Sequence, residues 1–233
     1  MGHIKSSGRG GRLTEEIKFY YEADRLPPPF PTPKLIEVDQ NGLLHITRIE
    51  GKPLGQHRFF DPQEKDAIML ACAGISKSTA SWRSRFRGYK FDYSAALSKA
   101  EALGIIEPPT RRALERRLNS FRRVFQHGDF IASNCLVDRN GSVVLVDFEW
   151  AGNAYLDGFD EASLLINAWE HPIVRETCIP RMKALPAGLI NWVAVLARDM
   201  SICVRDGAGE PWAVHATSLY KSQAEVCRRL LSE

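Results

Sequence analysis

The sequence predicts an α+β fold in which a small strand-bearing front portion precedes a larger, mostly helical body. Three observations predict it. Two short apolar segments flank Asp39-Gln40-Asn41-Gly42, a tight-turn signal. From Asp61 onward the apolar residues recur mainly at helical spacing. A second strand-turn-strand pattern, "NCLVD", "RNGS" and "VVLVDF", interrupts that helical body at 134–148.

The elements follow in order. "LTEEIKFYYEA" reads as a helix with Thr14 as N-cap and Leu13, Ile17 and Tyr20 on one face. "DRLPPPFPTP" ends it, because consecutive prolines remove donors and bar the α region before each ring. "KLIEVDQNGLLHITRIEG" supplies the hairpin, and Gly51-Lys52-Pro53 breaks its pattern. Asp61-Pro62 has the order of an N-cap followed by N1, a helix start. "PTRRALERRLNSFRRVF" puts Leu114, Leu118, Phe121 and Phe125 at helical spacing behind a Thr110 cap, so one helix is expected to run into His127. Near the end, Leu189, Val193, Leu196, Met200 and Val204 form an apolar stripe that reads as core.

Composition narrows the classes. With 233 residues the chain can bury a core as one large domain or two small ones. The longest apolar run, Trp192 to Ala197, is far too short to span a membrane. The start "MGHIKSSGRGG" carries no apolar h-region, so no secretory signal is readable. Five scattered cysteines without a CxxC spacing argue against a disulfide framework or zinc site and for reduced thiols in a cytoplasm. A net charge of +3 is too small to imply nucleic-acid binding. Even so, Arg111, Arg112, Arg116, Arg117, Arg122 and Arg123 cluster in one segment. They read either as a solvated helix face or as a basic rim that draws an anionic substrate or a membrane surface.

Chemistry concentrates in "FQHGDFIASNCLVD" and the strand after it. Asp129 and Asn134 are five residues apart, and Asp147 follows one hairpin later in "VVLVDFEW". Phosphoryl transfer to an alcohol needs a carboxylate to orient the hydroxyl and take its proton, and hard oxygen ligands for the Mg²⁺ that neutralises the nucleotide phosphates. An Asp and an Asn on one loop, then an Asp at the end of the neighbouring strand, provide those groups.

His127-Gly128-Asp129-x-x-x-x-Asn134 keeps the Asp-to-Asn interval of the protein-kinase catalytic loop, and Asp147-Phe148-Glu149 stands where Asp-Phe-Gly would. In this variant form the sequence resembles the aminoglycoside phosphotransferase and choline kinase family, most strongly over Phe125 to Leu165. The resemblance implies a protein-kinase-like two-lobe fold with a truncated small N-lobe, a short antiparallel sheet and a mainly helical C-lobe. It divides the chain into a reduced N-lobe and hinge at 1–51 and a helical C-lobe at 52–233. It implies ATP, or GTP, with Mg²⁺ as cofactors. Asp129 would be the catalytic base, Asn134 and Asp147 the metal ligands, Glu149 a second acidic residue at the metal, and His127 a brace for the loop. At the front, Lys5 would be the phosphate-binding lysine and Glu16 (or Glu15) its partner. "SGRGG" reads as a connector rather than a phosphate-covering loop. Backbone groups around Thr47, Arg48 and Ile49 would meet the adenine.

The function implied is a cytoplasmic, ATP-dependent phosphotransferase acting on a hydroxyl of a sugar, glycan precursor or amino-alcohol. "FQHGDF" is similar to members associated with bacterial surface-glycan assembly, and the arginine cluster suits an anionic acceptor. Antibiotic phosphorylation predicts an acidic pocket instead, for which Glu101, Glu107, Asp157, Asp160 and Glu161 are the acids at hand. The alternative is a catalytically impaired pseudokinase serving as a binding or scaffold protein. These readings leave the oligomeric state open.

Overall fold

The computed structural model describes residues 2–5, 12–207 and 210–233, and the side chains of Lys5 and the "SGRGG" connector lie outside what it describes. The front portion holds strand β1 (Gly2–Lys5), helix α1 (Leu13–Arg25), and strands β2 (Leu35–Val38) and β3 (Leu44–Thr47). These strands form an antiparallel sheet in the order β1-β3-β2. The β2–β3 turn is the expected one, with the Asp39 carboxylate accepting the N–H groups of Asn41 and Leu43 at 2.8 and 2.9 Å. Helix α1 begins two residues earlier than expected: Arg12 occupies the N-cap and Thr14 lies exposed inside the first turn.

Residues 48–50 lead into β4 (Gly51–Pro53), so Gly51-Lys52-Pro53 is not a break. It pairs antiparallel with β8 (Cys135–Asp138), which pairs in turn with β9 (Val143–Leu145). Pro53 is tolerated because β4 is the edge of that sheet. Gly51 is required because a Cβ there would lie 2.4 Å from the Val137 carbonyl oxygen. The boundary drawn after residue 51 thus falls inside β4. Strands β5 (Gly55–Gln56) and β6 (Phe59–Phe60) make a small hairpin with His57 and Arg58 at its tip.

Helix α2 (Asp66–Thr79) starts later than Asp61-Pro62, with Lys65 at its N-cap. Asp61 is spent on a turn, accepting the Gln63 N–H at 2.9 Å. Then come α3 (Tyr93–Ala102) and α4 (Pro108–Arg117), the latter with Glu107 rather than Thr110 at its N-cap position and proline in its first turn. The long helix expected to reach His127 ends at Arg117. After a single 3-10 turn at Leu118–Ser120 the chain becomes β7 (Arg123–Gln126), which pairs with β10 (Gly152–Leu156). The spacing of Leu114, Leu118, Phe121 and Phe125 misled because short apolar runs fit either period. Pairing with β10 decides the matter and sends Phe125 edge-on against Trp82, with ring centroids 4.6 Å apart.

The helical body closes with α5 (Phe159–Asn167), α6 (Pro172–Ala184), α7 (Gly188–Asp206) and α8 (Pro211–Ser232). All of α5 is buried, packed among α2, α6 and α7. The α7 stripe is core at Val193 and Leu196 but not at Val204, which is 68% exposed. A cluster of Phe19, Phe30, Trp82, Phe125 and Phe148 joins α1 to the body, and the Phe19 and Phe148 rings stack with centroids 3.7 Å apart. Helix α1 therefore rests on the phenylalanine of Asp147-Phe148-Glu149.

Candidate active site

Strand β7 delivers His127, Gly128 and Asp129 to one edge of the body, and a buried network fixes them there. Gly128 has φ +83°, and a Cβ there would meet Tyr155 Oη at 2.2 Å and the Trp150 carbonyl at 2.4 Å, so only glycine fits. The N–H groups of His127 and Gly128 donate to the two carboxylate oxygens of Asp160 at 2.7 and 3.0 Å, and Thr79 Oγ1 donates at 2.8 Å. Burial pushes the Asp160 carboxyl up from its ordinary value, and these donors offset only part of that. His127 braces the loop from within. Its Nε2 bonds the Val146 carbonyl at 2.9 Å while Nδ1 accepts the Asp129 N–H at 3.3 Å.

Asn134 lies in a 3-10 turn at Ala132–Asn134 and reaches back to Asp129. Its Nδ2 donates to the Asp129 carbonyl at 3.0 Å and to the carboxylate at 3.3 Å. Of its two polar atoms only Oδ1, which the Ser133 hydroxyl approaches at 3.5 Å, can serve a hard cation. The Val146 N–H donates to the Asn134 carbonyl at 3.0 Å, which sets the end of β9 beside Asn134. Asp147 follows at φ +68°, a left-handed conformation that aspartate tolerates better than most residues.

Two cavities meet at this loop. One, of about 410 Å³, is lined by Asn134 and Asp147 together with Glu16, Thr47, Arg48 and Ile49. The Thr47 N–H donates to the Lys34 carbonyl and its hydroxyl accepts the Lys34 N–H, both at 2.9 Å. Glu16 is buried and accepts the Phe148 N–H at 3.2 Å, whereas Glu15 pairs with Lys18 on the outer face of α1. The choice between the two glutamates thus falls on Glu16 as the residue in the cleft. Glu149 lines neither cavity. Its carboxylate accepts the Arg12 N–H and the Trp150 indole N–H at 3.1 and 3.0 Å, tying α1 to the loop after β9.

The other cavity, of about 540 Å³, is lined by Asp129 on one side and by Arg198, Arg205 and the rings of Tyr89 and Trp150 on others. The clustered arginines Arg111 to Arg123 line neither cavity. Arg111 pairs with Glu101 and Glu115, and Arg123 lies over the Tyr93 ring. Among the acids weighed for an acceptor pocket, Asp160 clamps the loop from behind and Glu161 pairs with Arg181.

Three side chains that support this loop escaped the sequence. Arg58, at the tip of the β5–β6 hairpin, lies 3.5 Å from Asp129 and 2.9 Å from Asp199. Its hairpin is fastened to the loop by the Ala132 and Ser133 N–H groups, which donate to the Arg58 and His57 carbonyls at 3.2 and 3.1 Å. Arg198 donates to the Gly128 carbonyl at 2.8 Å and to Asp199 at 2.7 Å. Burial alone would raise the Asp199 carboxyl, but Arg198 and Arg58 together hold it below its ordinary value. No local pattern in "GQHRFF" or "LARDMS" announces these contacts, which, the Arg198–Asp199 pair apart, join positions far apart in the chain.

A family model described as the phosphotransferase enzyme family (APH) matches residues 6–178. The chain belongs to that family. Solved structures of similar fold agree. The choline kinase LicA from Streptococcus pneumoniae superposes with a TM-score of 0.59 at 17% identity, covering 98% of this chain and 85% of that one. A choline/ethanolamine kinase family protein from Mesorhizobium loti gives 0.59 at 14% identity, over 99% of this chain and 82% of that one. An aminoglycoside phosphotransferase from Alicyclobacillus acidocaldarius gives 0.57 at 16%, over 99% and 84%. No curated protein sequence matches the chain significantly. The phosphotransferase-family chain thus has the expected kinase-like α+β fold. Among its described residues no helix is long and apolar enough to cross a membrane.

Proposed function

We propose that this phosphotransferase-family chain transfers the γ-phosphoryl group of ATP or GTP to a hydroxyl of a small molecule, in the cytoplasm. The observation that carries the reading is the Asn134–Asp129 hydrogen bond, which joins the walls of two cavities of ligand size. One cavity would hold the nucleotide, with the base against Arg48 and Ile49 and the phosphates toward Asn134 and Asp147. The other would present the acceptor hydroxyl to Asp129.

Asp129 would orient the hydroxyl and take its proton as the acceptor oxygen bonds to the γ-phosphorus and the bond to the β–γ bridging oxygen breaks. Asn134 Oδ1 and the Asp147 carboxylate are hard oxygen donors of the kind Mg²⁺ accepts, and two protein ligands plus phosphates and waters are its usual set. When bound, the ion would neutralise phosphate charge. Arg58 would hold the Asp129 carboxylate toward the acceptor, and Glu16 would close the far end of the nucleotide cleft.

Thermal shift with ATP and Mg²⁺ tests the first half, since ligand that binds only the folded state raises its melting temperature. A shift in the wild type, and a smaller Mg²⁺-dependent shift in Asp147→Ala, are expected. No shift at millimolar nucleotide would turn the reading toward a non-catalytic binding protein.

A further inference from the structure

The cavity beside Asp129 has a charge and an aromatic arrangement that select among acceptors. Four cations line it, Arg58, Lys99, Arg198 and Arg205, and Asp129 is the one carboxylate among its lining residues. Three carboxylates nearby already serve three of those cations. Arg58 bonds Asp199 and Asp129, Arg198 bonds Asp199 and the Gly128 carbonyl, and Arg205 pairs with Asp206 at 2.5 Å. Lys99, exposed on α3, has no carboxylate partner among the described residues. A polycationic acceptor would therefore enter a wall of like charge, which costs affinity, whereas an anion finds Lys99 without a carboxylate partner and Arg205 exposed at the solvent edge, paired with its chain neighbour Asp206.

The aromatic side points the same way. Tyr89 and Trp150 face this cavity as a pair that could enclose a quaternary ammonium. That place is already filled, because the Arg12 guanidinium lies 4.6 Å from the Tyr89 ring centroid and 4.5 Å from that of Trp150. What the rings still offer is apolar surface in the cavity that Asp129 also lines, where the C–H face of a sugar-like ring can lie.

We infer that the acceptor is an anionic hydroxy compound of sugar-like size, its carboxylate or phosphate held by Lys99 with Arg205 and its hydroxyl presented to Asp129. This rests on the phosphotransferase reading for the hydroxyl's fate but not for the binding of the anion.

Isothermal titration of the full chain tests it with glucose 6-phosphate, glucuronate, glucose and choline. At least one of the anionic sugars is expected to bind about tenfold or more tightly than glucose and choline, a difference of about 1.4 kcal/mol. Lys99→Glu should abolish that preference and Lys99→Arg should keep it. A preference for glucose 6-phosphate assigns a phosphate to the site, and one for glucuronate assigns a carboxylate. Choline or glucose binding as tightly as both anions overturns the inference, as does no anionic sugar binding at millimolar concentration. So does an unchanged ranking in folded Lys99→Glu, and the wild-type ranking stands as a test even if that variant does not fold. Nucleotide binding, measured separately by thermal shift, tells the two proposals apart. If ATP binds and the anions do not, the acceptor assignment alone falls. If the anions bind and ATP does not, the kinase reading falls and the anion site remains.

Discussion

The two walls of the cavity lined by Glu16, Asn134 and Asp147 are built on different physics. The loop side, from His127 to Asn134, is held from behind by buried charge: Asp160 under the His127 and Gly128 amides, and Asp199 between Arg58 and Arg198. The front side, made by α1 and the β1-β3-β2 sheet, meets the body chiefly through apolar stacking, above all Phe19 on Phe148, with the Phe148 N–H to Glu16 and Arg12 N–H to Glu149 bonds as polar ties. Buried hydrogen-bonded charges have few alternative geometries, because any displacement leaves a polar group unpaired. Stacked rings tolerate sliding. The loop should therefore be the rigid half of the site and the front wall the half that yields.

The largest expected effect separates chemistry from both walls. Asp129→Ala should lower turnover about 10²–10⁴-fold, as loss of a general base does, while the ATP-induced thermal shift stays near that of the wild type. Equal activity in this variant would remove Asp129 from the mechanism. Breaking the front wall comes next. Phe19→Ala should cost about 3–5 kcal/mol in urea unfolding and weaken nucleotide binding while leaving the affinity for an acceptor analogue less changed. If both ligands lose affinity equally, the two walls are not separable.

Breaking the loop support should cost slightly less. Asp160→Ala strands two buried N–H donors, for about 3 kcal/mol of stability by urea titration, with turnover falling alongside. Arg58→Ala should reduce turnover about 10- to 100-fold with the KM for nucleotide little changed, since a small displacement of a reacting group suffices for such losses. A rise in the nucleotide KM instead would move Arg58 out of the acceptor side.

The smallest effect is in the pH profile, where the two supports have opposite signs. The folded Asp199 carboxyl is held below its unfolded value of about 3.9, so its contribution is fully present above that pH and is lost as pH falls through the lower folded value. The folded Asp160 carboxyl is raised, so its contribution is present below about pH 3.9 and is lost as pH rises through the higher folded value. Asp199→Asn should flatten the stability profile below about pH 4, and Asp160→Asn should flatten it above. Urea midpoints measured across that range check both signs.

Much of the site was legible because it is local. The interval from Asp129 to Asn134, the Asn140-Gly141 turn and Asp147 at the end of the next strand all lie within one stretch of chain, and the hydrogen bonds from Val146 and Asn134 stay inside it. Arg58, Asp160, Arg198 and Asp199 were not legible, because an isolated Arg or Asp carries no mark of the partner it meets across the fold. Phe125 shows the same limit for secondary structure. Its helical spacing from Leu114 was real, but β10 paired with its neighbours Val124 and Gln126, and the aromatic cluster gave its ring a place to be buried.

By itself the sequence determined the α+β class, the β2–β3 and β8–β9 turns, and the family to which the catalytic-loop pattern belongs. It did so because turn chemistry and short-range spacing are properties of neighbouring residues. Tertiary structure alone decided that Glu16 and not Glu15 lines the cavity with Asn134 and Asp147, that the arginine cluster stands away from both cavities, and that Lys99 and Arg205 line the cavity beside Asp129. Those outcomes depend on which helix faces pack against which neighbours. The charge of a cavity is a sum over residues that only folding brings together.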